Sequence, residues 1–292
     1  MTEVSIGICA YNEEENIGEL LKRLLAQKLE TDRIEEIIVV SSGSSDRTND
    51  IVREFELKDK KIKLITQEKR EGKASAINIF LKIAKGDILV MESADTLPKE
   101  DTIQKLIVPF SNREVGLITG HPIPINKKDD FVGFTVNLIW NLHHRLSIKH
   151  PKATEIVAFR NVIKEISKET AVDDLLIEAI IRELNLKSVY VEDAIVYNRG
   201  PTTLSDLIRQ RKRIHIGYLH TKKVKNYVPI TVDTSETFKS LISEINFTPR
   251  EVIWTTLAIF LEIYVRCRAY FEFYILKRNP YAWEIVKTTK KL

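Results

Sequence analysis

Cysteine is scarce: the 292 residues contain two, Cys9 and Cys267. They cannot build a disulfide framework or a cysteine-based zinc site, so a reducing, cytoplasmic location is expected rather than secretion. A secretory leader is not expected either, because Met1 to Glu15 already holds four acids and lacks a long apolar core. Long hydrophobic runs are also missing. Val252 to Leu261 is the longest uncharged stretch near the C-terminus, well short of the ~20 apolar residues that a spanning helix needs. Nor does one sign of charge dominate. Lys and Arg number 45 against 41 Asp and Glu, a net charge of +4, which excludes a bulk polycation for nucleic acid. With 43% hydrophobic and 29% charged residues, the chain can bury a sizeable core and is not a disordered one.

What is present is alternation. Val4 to Ile8 reads as a buried strand, and Asn12 with Glu15 as a capping box before the apolar face of Ile17, Leu20, Leu21, Leu24 and Leu25. Ile34 to Val40 reads as a second strand. Ser41 to Asp46 reads as a turn-rich loop, followed by a helix through Ile51, Val52 and Phe55. Ile62 to Thr66, Lys73 to Ala84 and Ile88 to Met91 continue as strand, helix and strand. Such spacing predicts βαβ units, an α/β fold and a mostly parallel sheet whose ligands sit at the carboxyl ends of the strands. Beyond it, helices are expected at 131–148, 172–186 and 204–219, and strands at 115–119 and 189–197. Tyr227 to Phe247 has no clear period and reads as a linker.

Four clusters carry candidate chemistry: AYNEEENI from Ala10, SSGSSDRT from Ser41, GKASAIN from Gly72 and ESADT from Glu92. Each follows a strand or opens a helix, where free N–H groups and a positive dipole end suit a phosphate or carboxylate. Asp95, just past a strand end, is placed to hold a hard divalent cation on a diphosphate.

Taken in this order, the clusters resemble glycosyltransferase family 2, inverting enzymes of the GT-A fold that use nucleotide-sugar donors. The resemblance covers roughly residues 3 to 220. It implies a Rossmann-like sheet flanked by helices over residues 1–225; residues 226–292 read, from their own pattern, as a linker and an amphipathic helical segment. Tyr11-Asn12-Glu13 matches the first nucleotide-binding loop, SSGSSDRT the second and GKASAIN the Gly-Lys segment. Ser93-Ala94-Asp95 stands at the metal-binding Asp-x-Asp, and Ala171-Val172-Asp173-Asp174 where the family has its catalytic base. Gln210-Arg211-Lys212-Arg213-Ile214, starting 36 residues after Asp174, resembles the Gln-x-x-Arg-Trp motif of the cellulose, chitin and hyaluronan synthase branch.

The implied roles follow. Ala10, Tyr11, Glu13, Ser42, Asp46, Lys73, Gln210 and Arg213 would bind the donor, with Arg211 a further phosphate contact. Asp95 would hold Mg²⁺ or Mn²⁺. Asp174, with Asp173 as the alternative, would take the acceptor proton in a single displacement that leaves a β-linkage. The chain departs from the pattern at Ser41 and Ser42, which replace two acids and loosen the uridine preference. It departs again at Ser93, which replaces the first metal acid and leaves Glu92 nearby but inside the strand. Ile214 replaces an acceptor-stacking tryptophan. The last change, with the lack of spanning helices, points to a non-processive transferase rather than a polymerase.

Other residues have narrower readings. His143 and His144, with Trp140, read as ordinary helix residues before acceptor ligands. Glu155 stands where the synthase branch has small residues beside the acceptor, and is a candidate for acceptor contact. Cys9 reads as core. If helical, Glu251 to Leu276 gathers Glu251, Glu262, Arg266, Arg268 and Glu272 on one side and aromatics over the rest. That predicts either packing on the chain or a second copy, or an interfacial membrane helix aided by Lys277, Arg278, Lys287, Lys290 and Lys291, reaching a lipid-linked or polysaccharide acceptor. Two rival functions are also compatible with the sequence: nucleic-acid binding through the basic stretch 209–225, and a degenerate nucleotide-sugar-binding protein.

Overall fold

The computed structural model describes residues 2–30, 32–168, 172–227, 234–244, 248–277 and 289. In chain order these form β1 (Glu3–Ala10), α1 (Ile17–Leu25), β2 (Arg33–Ser42), α2 (Thr48–Glu56), β3 (Ile62–Gln67), α3 (Lys73–Ile83), β4 (Ile88–Ser93) and the short β5 (Thr96–Pro98). Next come α4 (Thr102–Ile107), β6 (Val115–Pro124), α5 (Phe131–Lys149), β7 (Ile156–Arg160), α6 (Asp173–Glu183) and β8 (Lys187–Asn198). Among the described residues three helices follow: α7 (Leu204–Lys225), α8 (Thr234–Glu244) and α9 (Pro249–Tyr270), the last running into a π-turn at Phe271–Ile275.

Among the described residues the strands form one sheet in the order β3-β2-β1-β4-β7-β6-β8-β5. β1, β2, β3 and β4 pair in parallel, as do β6 and β8, whereas β7 runs antiparallel to both β4 and β6, and β5 antiparallel to β8. The α/β, mostly parallel reading therefore holds for the first half of the chain, and the hydrophobic pattern shows why. Ile37 and Val39 of β2 face one core with α1, α2 and α4, while Ile38 and Val40 face the other with α3 and α6. Strands covered on both faces read as continuous apolar runs. Gly7 of β1 lies under Phe80 of α3. A Cβ there would sit 2.7 Å from the ring, so the helix rests on the sheet only because position 7 has no side chain.

Several expectations are corrected. Asn12 is not a helix cap: it takes a left-handed conformation (φ 53°), and α1 starts at Ile17, with Asn16 in the cap position. Ser41 and Ser42 finish β2 rather than opening a loop. The stretch read as a linker contains α8, whose Leu241 packs with Leu138 of α5 and Ala258 of α9. The apolar run after Glu155 is β7, an antiparallel insertion beside β4. Ala171, Arg278, Lys287, Lys290 and Lys291 lie outside the described residues.

The tail is built inside out. α9 buries Thr255, Ala258, Val265 and Ala269. Its polar side turns inward: Glu262 bonds Arg211 and His215 of α7, and Glu272 of the following π-turn bonds Lys212. Phe260 (65% exposed), Ile253 (58%), Leu257, Ile263, Tyr264, Tyr270 and Ile275 point outward. Arg266 and Arg268 are held by Glu262 and Glu272. The tail thus packs on its own chain and still presents an apolar face.

Candidate active site

Strand order reverses at β1: β2 and β3 extend the sheet to one side and β4 to the other. The crevice at the carboxyl ends of such strands is where an open α/β sheet binds ligands. Ala10 pairs with Ser41 and Cys9 with Ser93, so the first, second and fourth polar segments meet there.

The two loops on the β1–β2 side are tied to each other. Asn12 Oδ1 accepts the Ser45 N–H at 2.8 Å and the Asn12 N–H donates to Ser44 Oγ at 3.1 Å. The Glu13 N–H donates to Thr48 Oγ1 at 2.7 Å, and the buried Glu13 carboxylate accepts from Asn16. Asp46 takes the Thr48 N–H and hydroxyl on Oδ1 and the Glu14 N–H on Oδ2. Burial alone would raise its carboxyl, but these hydrogen bonds hold it below the usual range. Glu13 and Asp46 thus join the loops, whereas Ala10 and Ser42 end the neighbouring strands β1 and β2 and Tyr11 follows β1. Arg70 stacks over Tyr11, 4.4 Å from the ring centre. Ser42 Oγ accepts the Glu71 N–H at 3.1 Å, and the Ser41 hydroxyl donates to Ser44 Oγ at 2.8 Å. Gly43, at φ +71°, passes so near Arg70 that a Cβ would lie 2.6 Å from its backbone nitrogen. The turn there requires glycine.

On the β4 side the charges gather. Asp95 sits partly buried in the turn after β4. The Ser93 hydroxyl donates to Glu155 Oε2 at 2.8 Å, and the Ser93 N–H to the Glu155 carbonyl at 3.0 Å. Glu92 points away and is buried, bonded to Thr96 within the strand turn. Lys73, first residue of α3, places Nζ 2.9 Å from Asp173 Oδ2 at the start of α6. Burial would lower the Lys73 ammonium, but Asp173 with Asp174 behind it pushes it above the ordinary value. The Asp174 carboxyl is raised, first by burial and then by Asp173, against Lys152, Lys73 and the Leu175 N–H. Burial also raises Glu155, with Asp95 and Asp174 adding to it and Lys73 opposing. Cys9 lies below, its thiol pushed up to about 12 by burial, which leaves it inert.

Of the α7 residues, Ile214 packs with Val172 and Leu175 at the start of α6, next to Asp173 and Asp174. Gln210 lies one turn before Ile214 on the same helix face, and Arg213 precedes Ile214 in the chain. Arg211 is corrected: its guanidinium donates to Glu262 at 2.9 and 3.2 Å and faces α9, not the crevice. Within the basic stretch Arg209 pairs with Asp206, Lys212 with Glu272 and Lys225 with Glu183, while Lys222 and Lys223 are exposed. His143 is buried and held neutral, chiefly by burial, while His144 stacks on His121 at 4.1 Å and bonds Tyr190.

Two further residues escaped sequence reasoning. Lys152 is buried, its Nζ 5.6 Å over the Tyr218 ring. Burial would depress its ammonium, yet Tyr218, Asp174 and Glu178 hold it raised. Glu178 in turn accepts from the Ala153 N–H and the Tyr227 hydroxyl. No motif marks Lys152; its only sequence signal is its place three residues before Glu155.

Among the described residues no three His, Cys, Asp or Glu side chains gather as a complete metal-ligating set. Asp95 offers one hard carboxylate at the crevice mouth, with other oxygen groups beside it. That donor set fits a divalent cation completed by phosphate oxygens and water, and does not fit a closed protein cage.

The family model described as glycosyl transferase family 2 matches residues 5–170. A probable glycosyltransferase of Bacillus subtilis, YdaM, is 34% identical over 142 residues, 47% of this chain and 34% of that protein. The poly-beta-1,6-N-acetyl-D-glucosamine synthase of Staphylococcus aureus is 29% identical over 219 residues, 70% of this chain and 52% of that protein. This chain therefore spans about half or less of the length of these relatives. Among solved structures, the mannosyltransferase PcManGT from Pyrobaculum calidifontis, in complex with GDP-Man and Mn²⁺, superposes with a TM-score of 0.57 at 20% identity, covering 91% of this chain and 72% of that one. S. aureus TarS 1–349 gives 0.54 at 16% identity, covering 91% and 82%. At these identities the structural likeness establishes the fold.

Proposed function

This chain belongs to glycosyl transferase family 2, and from that premise we propose that it moves a sugar from a nucleoside-diphosphate sugar, a uridine one first, to an acceptor hydroxyl with inversion. The observation that carries the reading is the division of labour at the start of α6: Asp173 is ion-paired to Lys73, while Asp174, next to it, keeps a carboxyl raised by burial and by Asp173. A base poised above the ordinary aspartate range accepts a proton more readily. Asp174 takes the acceptor proton as that oxygen bonds the anomeric carbon and the bond to the diphosphate oxygen breaks. Lys152 steadies the charge of Asp174 before the transfer. Ala10, Tyr11 and Ser42 line the nucleotide, and Arg213 and Gln210 approach from α7. Asp95 is the residue that would hold Mg²⁺ or Mn²⁺, which when bound neutralises the leaving diphosphate. Glu13 and Asp46 serve by fixing the loops.

Supporting a non-processive enzyme, Ile214 is packed rather than exposed as a stacking platform, and among the described residues no helix is long and apolar enough to cross a membrane. The outward apolar face of α9 favours peripheral contact with a membrane and a lipid-borne acceptor. The test is a screen of nucleotide-sugars with Mn²⁺, reading nucleoside diphosphate release from wild type and Asp174→Asn. Release by wild type alone supports the reading. Release by neither protein leaves a nucleotide-sugar-binding protein without activity.

A further inference from the structure

We propose that Glu155 recognises the transferred sugar, accepting hydrogen bonds from its hydroxyls and restricting the donor to neutral hexoses or N-acetylhexosamines. The inference rests on the transferase reading above and deepens it.

Three observations carry it. First, Glu155 is pinned: β4 and β7 run antiparallel with Glu92 opposite Ile156, which sets positions 93 and 155 side by side. The Ser93 backbone and hydroxyl then fix both the Glu155 carbonyl and Oε2. Second, only one oxygen is used. Among the described residues Oε1 accepts no hydrogen bond, and a carboxylate accepts up to about four. Third, Glu155 stands within electrostatic reach of Asp95, Lys73 and Asp174. In-line displacement places the sugar between the diphosphate at Asp95 and the base at Asp174, so its ring passes over the open side of Glu155. The charge balance adds selectivity. Asp95, Glu155 and Asp174 are acids, while Lys73 is committed to Asp173 and Lys152 lies against Tyr218. A sugar carboxylate at Glu155 would meet like charge, and the two lysines described beside it are already engaged.

The experiment is calorimetry with Mn²⁺ on wild type, Glu155→Gln and Ser93→Ala. The probes are UDP, GDP, UDP-glucose, UDP-N-acetylglucosamine, GDP-mannose and UDP-glucuronate. Expected are a neutral sugar nucleotide that binds wild type more tightly than its bare diphosphate, and a glucuronate donor that does not. In Glu155→Gln that sugar nucleotide weakens about tenfold or more, since hydrogen bonds to a charged group are being lost, while the bare diphosphate changes less than about twofold. Ser93→Ala keeps the carboxylate but frees it, and loses affinity in the same direction by less. Should Glu155→Gln not fold, Ser93→Ala carries the comparison. Unchanged sugar-nucleotide binding in both variants overturns the proposal. So does an equal loss of bare diphosphate with a raised Mn²⁺ requirement, which would make Glu155 a cation ligand. If wild type binds no nucleotide sugar at all, the transferase reading fails with it; if wild type binds and the variants match it, only the role of Glu155 fails.

Discussion

Lys73 Nζ lies 2.9 Å from Asp173 Oδ2. That contact separates two acids adjacent in sequence. Successive helical residues point about 100° apart, so α6 directs one carboxylate to α3 and leaves the other for the crevice. Asp174→Asn is therefore expected to lower transfer by about a hundredfold or more while donor binding stays within a few-fold. Asp173→Asn should mainly loosen Lys73 and weaken the donor. Loss in Asp173→Asn with full activity in Asp174→Asn reverses the assignment.

The same pair sets the pH dependence. The base works ionised, and Asp174 is raised by burial and by Asp173. Activity should thus fall with decreasing pH along a limb lying above the ordinary aspartate value of about 3.9. Removing the neighbouring charge in Asp173→Asn should move that limb to lower pH. A pH profile of kcat/KM for the two proteins checks the sign.

How far this was readable from sequence follows from the chemistry of each part. The buried parallel strands announce themselves as runs such as IIVV, because both faces are covered. The polar segments at their ends mark the crevice, and the order of those segments located Asp95, Lys73 and the acid pair. Partnerships were not readable. Nothing in Gln210-Arg211-Lys212-Arg213 says that Arg211 turns to Glu262, 51 residues on. Asn12 has the composition of a cap but closes a loop onto Ser45. Lys152 and the pinned state of Glu155 depend on β7 being inserted antiparallel beside β4, a pairing that local periodicity does not encode.

Asp95→Ala should abolish cation-dependent activity. With one carboxylate from the protein, Mn²⁺ should bind weakly alone and tighter once a nucleoside diphosphate is present. Mn²⁺ titration with and without UDP reads this directly, and full activity in excess chelator would count against it.

The base-side loop predicts a shallow nucleotide preference. The Ser41 hydroxyl is committed to Ser44, and Ser42 already accepts the Glu71 N–H, leaving one hydroxyl proton for a base edge. UDP is expected to lead GDP, CDP and TDP by less than about tenfold, since one neutral hydrogen bond contributes roughly 1 kcal/mol. A strong preference for GDP in calorimetry would reverse the uridine assignment.

Glu262 clamps α9 to α7. Burial would raise its carboxyl, but Arg211 and His215 hold it far below the usual range. Its contribution is fully present above the unfolded value of about 4.3 and is lost as pH falls towards the depressed folded value, because the unfolded chain takes up the proton first. Glu262→Gln should cost about 2 kcal/mol near neutrality, below the usual figure for a buried pair because the site is partly exposed. The gap to wild type should narrow between about pH 4 and 2. Urea melts at several pH values test the narrowing.

The outward face of α9 yields the last prediction. A helix that packed only to complete this domain would bury its large apolar side chains. This one buries Thr255, Ala258, Val265 and Ala269 and leaves Phe260, Ile253 and Ile263 in solvent. The inward ion pairs make that inversion stable, because Glu262 and Glu272 find their partners on α7. An exposed face of this kind needs a surface. Tyr264, Tyr270 and Tyr274 along it have the amphipathic character suited to a headgroup boundary. Phe260→Asp with Ile263→Asp changes only exposed positions, so the fold should hold. Wild type should co-sediment with liposomes containing anionic lipid, and the double variant should remain in the supernatant. If both remain there and wild type sediments as a dimer at equilibrium, the face is covered by a second copy instead.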